Sequence, residues 1–186
     1  MITPDLPSSE QDRLDILRQQ NILDSLPEQS YDDIIYLASN IIGTPISLIS
    51  FVDADRQWFK AKLGLDAKET SREISFCGHA ILQNEVFIVE DTLKDERFAD
   101  NPLVTGGPSI RFYAGAPIET TTGHKLGTVC IIDTVPRQLT CTECECLIRL
   151  ARQVSSQLEL DQARREAISA HDSKSLFLAT MSHEIR

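Results

Sequence analysis

The chain has 186 residues, 41% hydrophobic and 25% charged, a globular mixture with length for one domain and an extended arm. Its net charge is −10, with 12 basic and 21 acidic groups in residues 1–139, so neither part has the basic face of a nucleic-acid or anionic-membrane binder. The longest apolar stretches, 44–52 and 113–118, fall short of the roughly 20 residues that cross a bilayer, and no signal peptide is visible, so a cytoplasmic location is expected.

Residues 9–20 read as a first helix, with Leu14, Ile16 and Leu17 as a short apolar stripe and Ser8 or Ser9 as N-cap. Pro27 suits the start of a second helix to about Ile42, burying Ile34, Ile35, Leu37, Ala38, Ile41 and Ile42, with Gly43 as C-cap. Residues 45–53, rich in β-branched and aromatic side chains, predict a buried strand, and 57–65 its hairpin partner. A short helix is expected near 75–83 and a third strand at 86–91. Residues 93–108 hold Pro102, Gly106, Gly107 and Pro108 and read as loop, with one helical turn at 96–99. Strands 111–120 and 125–133 then pair through the turn at 121–124.

From Thr140 onward the chain has neither Pro nor Gly, and Thr140-x-x-Glu143 has capping-box spacing. A helix from there to the last residue would reach roughly 70 Å. Leu147, Ala151, Val154 and Leu158 form one apolar seam. After a phase shift, Leu160, Ala163, Ala167, Ala170, Lys174, Phe177 and Met181 form a second. One long helix packing partly on its own sheet would account for some of this. A weak parallel two-chain coiled coil is preferred, because a helix of that length needs another surface to bury its stripe. The fold class is therefore α/β (α+β): a mainly antiparallel sheet of five or six strands flanked by helices, then a helical stalk.

Five cysteines are present, three of them within six residues at Cys141, Cys144 and Cys146. Cys141 and Cys144 share a helix face, and three thiols on one helix cannot close a tetrahedral metal site. A helix first turn is expected to lower a thiol pKa. Surface thiols are the preferred reading, ahead of redox sensing and of metal or iron–sulfur binding by pooled ligands of two copies. Cys130 reads as an apolar filler and Cys77 as packing.

The last ten residues, FLATMSHEIR, resemble the phosphoacceptor box of sensor histidine kinases. Imidazole is nucleophilic and near neutral at cytoplasmic pH, as a phosphoryl acceptor must be. The resemblance implies that His183 accepts the γ-phosphoryl group of ATP through Nε2, while Glu184 takes the proton on Nδ1. It also implies a response regulator as partner, and ATP with Mg on a further domain, since no Gly-rich phosphate loop occurs here. The residues present are expected to need no cofactor and to be inactive alone.

Residues 20–160 resemble a GAF domain of the kind found ahead of histidine kinases, carried by the stretches ILDSLPEQSYDDIIYLASNIIGTPISLISFVDADRQWFKAKLGLD, SREISFCGHAIL, IRFYAGAPIET and LGTVCIIDTVPRQLT. That resemblance implies a central antiparallel sheet, a pocket on one face, and a homodimer through N- and C-terminal helices. It divides the chain into an N-terminal helix (1–20), a GAF domain (21–139), a signalling helix (140–170) and the start of the phosphoacceptor domain (171–186). The ligand is unknown; bilin, cyclic nucleotide and haem are all disfavoured, the last needing His79 or His124 as axial ligand. By analogy Arg111, Phe112, Tyr113 and His79 are candidates for ligand contact. Two alternatives stand beside the kinase: a non-catalytic ligand-binding or dimerising GAF module, and a thiol redox sensor using the 141–146 cluster.

Overall fold

The computed structural model describes residues 1–184, and side chains through Met181. Six strands form one sheet: β1 Ile46–Val52, β2 Arg56–Leu63, β3 Glu69–Ser71, β4 Phe87–Val89, β5 Phe112–Glu119 and β6 Lys125–Asp133. Every neighbouring pair is antiparallel, in the order β3-β2-β1-β6-β5-β4. The two tight hairpins expected from sequence, β1–β2 and β5–β6, are joined by β1 pairing with β6, which places the most apolar strands at the centre. All seven residues of β1 are buried, because both faces of the sheet are covered.

One face is covered by α1 Glu10–Gln19, α2 Gln29–Ile42 and the first half of α5 Cys141–Glu184. Strand alternation aims Ile49, Phe51, Phe112, Ala114, Ala116, Val129 and Ile131 at these helices. On the other face, Ile46, Leu48, Val52, Tyr113, Cys130 and Ile132 meet α3 Phe76–Ala80 and the segment around Phe98–Ile110. A bulge keeps the alternation in step on β2. Ile49 pairs with Ala61 but Ser50 with Phe59, leaving Lys60 as the extra residue. Trp58 and Ala61 thereby join the helix side while Phe59 faces the other way. The displaced Lys60 ammonium is fully buried and bonds Ser25 Oγ, the Leu26 carbonyl and Glu28 Oε1 at 2.6–2.8 Å.

Local signals set several boundaries. Gly43 caps α2 in the left-handed region at φ 72°. Thr140 and Glu143 make the reciprocal capping box, Thr140 N–H to Glu143 Oε2 at 2.7 Å and Glu143 N–H to Thr140 Oγ1 at 3.2 Å. Gly127 lies where β1 and β6 cross closely: a Cβ there would sit 1.9 Å from the Ser50 carbonyl oxygen.

Three expectations change. Ser9 precedes α1 without a side-chain capping bond. α2 turns Tyr31, Ile34, Ile35, Ala38 and Ile42 inward, so Leu37 and Ile41 are exposed rather than buried; the inward arc is already filled by the branched residues one turn apart. Most consequentially, the seam Leu147, Ala151, Val154 and Leu158 packs on the chain's own sheet, each residue at most 3% exposed. Besides Tyr36, Leu37 and Ile41 of α2 and Ile148 of α5, exposed apolar residues follow beyond it at Leu160, Ile168, Leu176, Phe177, Leu178 and Met181. Three bonds hold α5 to the N-terminal elements between Asp161 and Arg165. Gln20 Nε2 donates to Gln162 Oε1 at 2.9 Å, Arg165 Nη2 donates to the Gln20 carbonyl at 2.7 Å, and the Tyr31 hydroxyl donates to Asp161 at 3.2 Å.

Candidate ligand pocket

On the face away from the long helices, the sheet leaves a cavity of about 360 Å³. Ile46, Leu48 and Phe59 form its floor, Phe76 and Cys77 of α3 one wall, and Leu103, Pro108 and Ile110 the opposite side. The far wall is held in place by Asn101, 1% exposed, which caps α4 Pro102–Thr105 through Leu103 N–H at 2.9 Å and donates to the Ile74 carbonyl at 3.0 Å. Pro102 follows directly as the first helical residue, where its missing N–H costs nothing. A mostly apolar enclosure of this size suits a small organic molecule.

Its lining residues Gln57, Cys77 and Tyr113 bond to buried polar side chains behind them. Gln57 accepts from Ser75 Oγ at 2.9 Å and Ser50 Oγ at 3.4 Å, and donates to Thr70 Oγ1 at 2.6 Å. Ser75 also caps α3 by accepting from Gly78 N–H at 2.7 Å. The Tyr113 and Thr128 hydroxyls donate to Cys77 Sγ at 3.3 and 3.2 Å. Burial opposes ionisation of Cys77, but its polar neighbours Cys130, Ser50, Thr128 and Tyr113 outweigh it and lower the thiol below its ordinary range. Cys130 moves the other way, raised by its neighbour Cys77 and by burial, and burial together with the neighbouring sulfurs raises Tyr113.

Of the four residues expected to contact ligand, Tyr113 lines this cavity. Phe112, its neighbour on the strand, points to the opposite face and is fully buried under the helices. Arg111 lies at the strand's edge, where Nε and Nη2 bond Asp91 Oδ1 at 3.2 and 2.9 Å. His79 packs against Phe98 at 5.0 Å between ring centroids, its Nε2 3.0 Å from the Ile2 carbonyl, so the N-terminal segment covers it. His124 sits in the β5–β6 turn, with Nδ1 3.0 Å from Thr122 Oγ1. The side chains of His183 and Glu184 lie outside the described residues.

Among the thiols of the cluster near the start of α5, Cys141 is exposed and Cys144 and Cys146 are partly so. The Cys144 thiol is raised rather than lowered, by burial and by the adjacent Cys141 and Glu143. The first-turn argument is thus overruled by local desolvation and an acidic neighbour. Among the described residues no group of three or more His, Cys, Asp or Glu side chains is placed to hold a metal ion, and no helix is long and apolar enough to cross a membrane. Sequence reasoning missed Gln57 in the cavity lining and Ser75 and Thr128 buried behind it. Their only sequence signal is polarity inside otherwise apolar strands and at a cap.

Comparison with known proteins agrees with this geometry. Over 137 residues the chain is 46% identical to a cyclic di-GMP phosphodiesterase of Pseudomonas aeruginosa; the match takes in 74% of this chain but only 23% of that protein. The GAF domain of an Acinetobacter phosphoenolpyruvate-protein phosphotransferase superposes with a TM-score of 0.62 at 19% identity, covering 85% of this chain and 97% of that one. A domain assigned to a two-component sensor histidine kinase of Sinorhizobium meliloti gives 0.58 at 19% identity, covering 78% and 97%. The GAF domain family itself matches residues 26–158, and with the antiparallel sheet, the pocket on one face and the helices on the other, the chain belongs to that family.

Proposed function

We propose that this chain is the sensory GAF portion of a cytoplasmic two-component sensor histidine kinase, which autophosphorylates on His183 from ATP and passes the phosphoryl group to a response-regulator aspartate. The observation that carries this is the FLATMSHEIR box, whose residues through Glu184 continue the same uninterrupted helix that leaves the GAF sheet. Phosphoryl transfer asks little covalent chemistry of a protein and much positioning. In this reading Glu184 draws the proton from Nδ1, and Nε2 of His183 attacks the γ-phosphorus in line with the departing ADP. ATP and Mg are held by a separate domain, and the exposed apolar residues of α5 beyond Leu158 meet a second copy in a homodimer.

The test joins this chain to a kinase ATP-binding domain and supplies γ-labelled ATP. Acid-labile, alkali-stable phosphate is expected on the wild-type chain and none on His183→Gln. Label on the variant equal to wild type, or no label on either, refutes the reading.

A second reading has its own support. The 46% match lies in a cyclic di-GMP phosphodiesterase, so closely similar GAF sequence also accompanies an unrelated output. The domain would then serve as a ligand-binding or dimerising module whose output depends on what is attached. It predicts undiminished dimerisation of residues 1–170 and a ligand that shifts the domain's melting temperature without altering phosphate on His183.

A further inference from the structure

Two buried thiols are used neither by the fold's apolar packing alone nor by the kinase chemistry. Cys77 on α3 and Cys130 in mid-β6 are unoxidised, 2% and 0% exposed, and packed in the same buried cluster. A neutral thiol is a weak acceptor, whereas buried hydroxyls are ordinarily matched with good ones. Here Tyr113 and Thr128 both direct their O–H groups at Cys77 Sγ. Such a convergence of donors on one sulfur fits a thiolate better than a thiol. The two cysteines also differ in access: Cys77 forms part of the cavity wall, while Cys130 lies behind it in the sheet.

We propose that Cys77 and Cys130 form a peroxide-reactive dithiol whose oxidant, a small hydroperoxide, enters through the 360 Å³ cavity. The Cys77 thiolate attacks one peroxide oxygen; the S–O bond forms as the O–O bond breaks, and the departing oxyanion takes a proton. The Cys130 sulfur then attacks Sγ of the Cys77 sulfenic acid. The S–S bond forms, the S–O bond breaks, and hydroxide leaves with the second thiol proton as water. Two thiols lose two electrons, and the peroxide is reduced to an alcohol, or water, plus one further water. The product joins α3 to the central strand β6 and removes the acceptor that Tyr113 and Thr128 now share. A small dithiol reverses it.

The experiment uses the full chain carrying Cys141→Ser, Cys144→Ser and Cys146→Ser, which removes the competing thiols of α5 and leaves the core intact. One equivalent of hydrogen peroxide at neutral pH is expected to remove both remaining thiols with loss of two hydrogens by mass. Proteolysis should then yield a cross-linked peptide containing Cys77 and Cys130, released by dithiothreitol. Adding Cys130→Ser should stop the reaction at Cys77 with gain of one oxygen, captured by dimedone, and Thr128→Val should slow it. Two thiols that survive equimolar peroxide in the folded triple variant, or that oxidise only in denaturant, overturn the proposal. If Cys130→Ser does not fold, the triple variant decides alone. No step needs ATP or His183, so the outcome is independent of the kinase reading.

Discussion

Replacing Glu10 with glutamine tests how α1 is held to the sheet. Glu10 bonds Arg13 at 2.7 and 2.8 Å and Arg72 at 2.5 Å; Arg13 continues to the Val52 carbonyl at 2.6 Å and Arg72 to that of Asp53 at 2.9 Å. One carboxylate thus joins two guanidinium groups that are 1% and 5% exposed. Burial alone would raise the Glu10 pKa, but the bonds and charges of Arg13 and Arg72 outweigh it and take it from 4.5 to about 2. The folded chain therefore binds this proton less readily than the unfolded one. The stabilisation is complete above about 4.5 and is lost as pH falls through about 2. At about 1.4 kcal/mol per pKa unit this corresponds to ~3 kcal/mol, reduced to ~2 by the solvent that reaches Glu10. Glutamine keeps the shape but leaves two buried cations facing each other, so Glu10→Gln is expected to cost ~2–4 kcal/mol near neutral pH. Urea denaturation of both proteins at pH 7 and pH 3 measures the gap, more than half of which should be gone at the lower pH. A gap under ~0.5 kcal/mol at pH 7, or one that does not shrink in acid, would refute the reasoning.

Other substitutions probe the remaining contacts. Leu147→Ala should cost ~2–5 kcal/mol by opening a cavity between α5 and the sheet, whereas Leu160→Ala, at an exposed position, should stay within ~0.5 kcal/mol in thermal unfolding. Gly127→Ala should cost ~1–3 kcal/mol by forcing β1 from β6, seen as a lowered urea midpoint with unchanged slope. His79, whose pKa burial lowers from 6.5, is buried in its neutral form. The stabilisation this gives is full above 6.5 and declines as pH falls below it, and an NMR titration should place the imidazole midpoint under 6.5.

What was legible in the sequence was local. Apolar runs broken by turn residues give β1–β2 and β5–β6, and the spacing of Thr140 and Glu143 gives the start of α5 without reference to anything distant. β3 escaped because Glu69–Ser71 has no apolar pattern; it is a strand only because β2 offers it an edge. The period of Leu147, Ala151, Val154 and Leu158 marked a buried stripe but could not say what covers it, and the sheet proved to be nearer than a second chain. For Phe112 and Tyr113 the strand period of two already implied opposite faces, so both could not line one pocket. The Cys77–Cys130 pair was illegible for a different reason: only the placement of α3 over β6, fixed by the whole topology, brings residues 53 positions apart into contact.

The same alternation supplies a route from pocket to helix. On β5, Tyr113 lines the cavity, while Ala114 and Ala116 on the reverse side lie in the cluster that buries Ala151 and Val154 of α5. Small residues at such a contact bring the helix close to the strand, and a close-packed contact transmits displacement instead of absorbing it. The grip ends at Arg165, bonded to the Gln20 carbonyl. From there to Glu184 the helix extends ~29 Å, so a tilt of about 5° at its base moves the far end by ~2.5 Å. Moving the last grip therefore has a predictable consequence for any output at residue 183. Arg165→Ala, which removes that bond, should weaken the effect of a pocket change on the end of α5 while leaving the pocket itself intact.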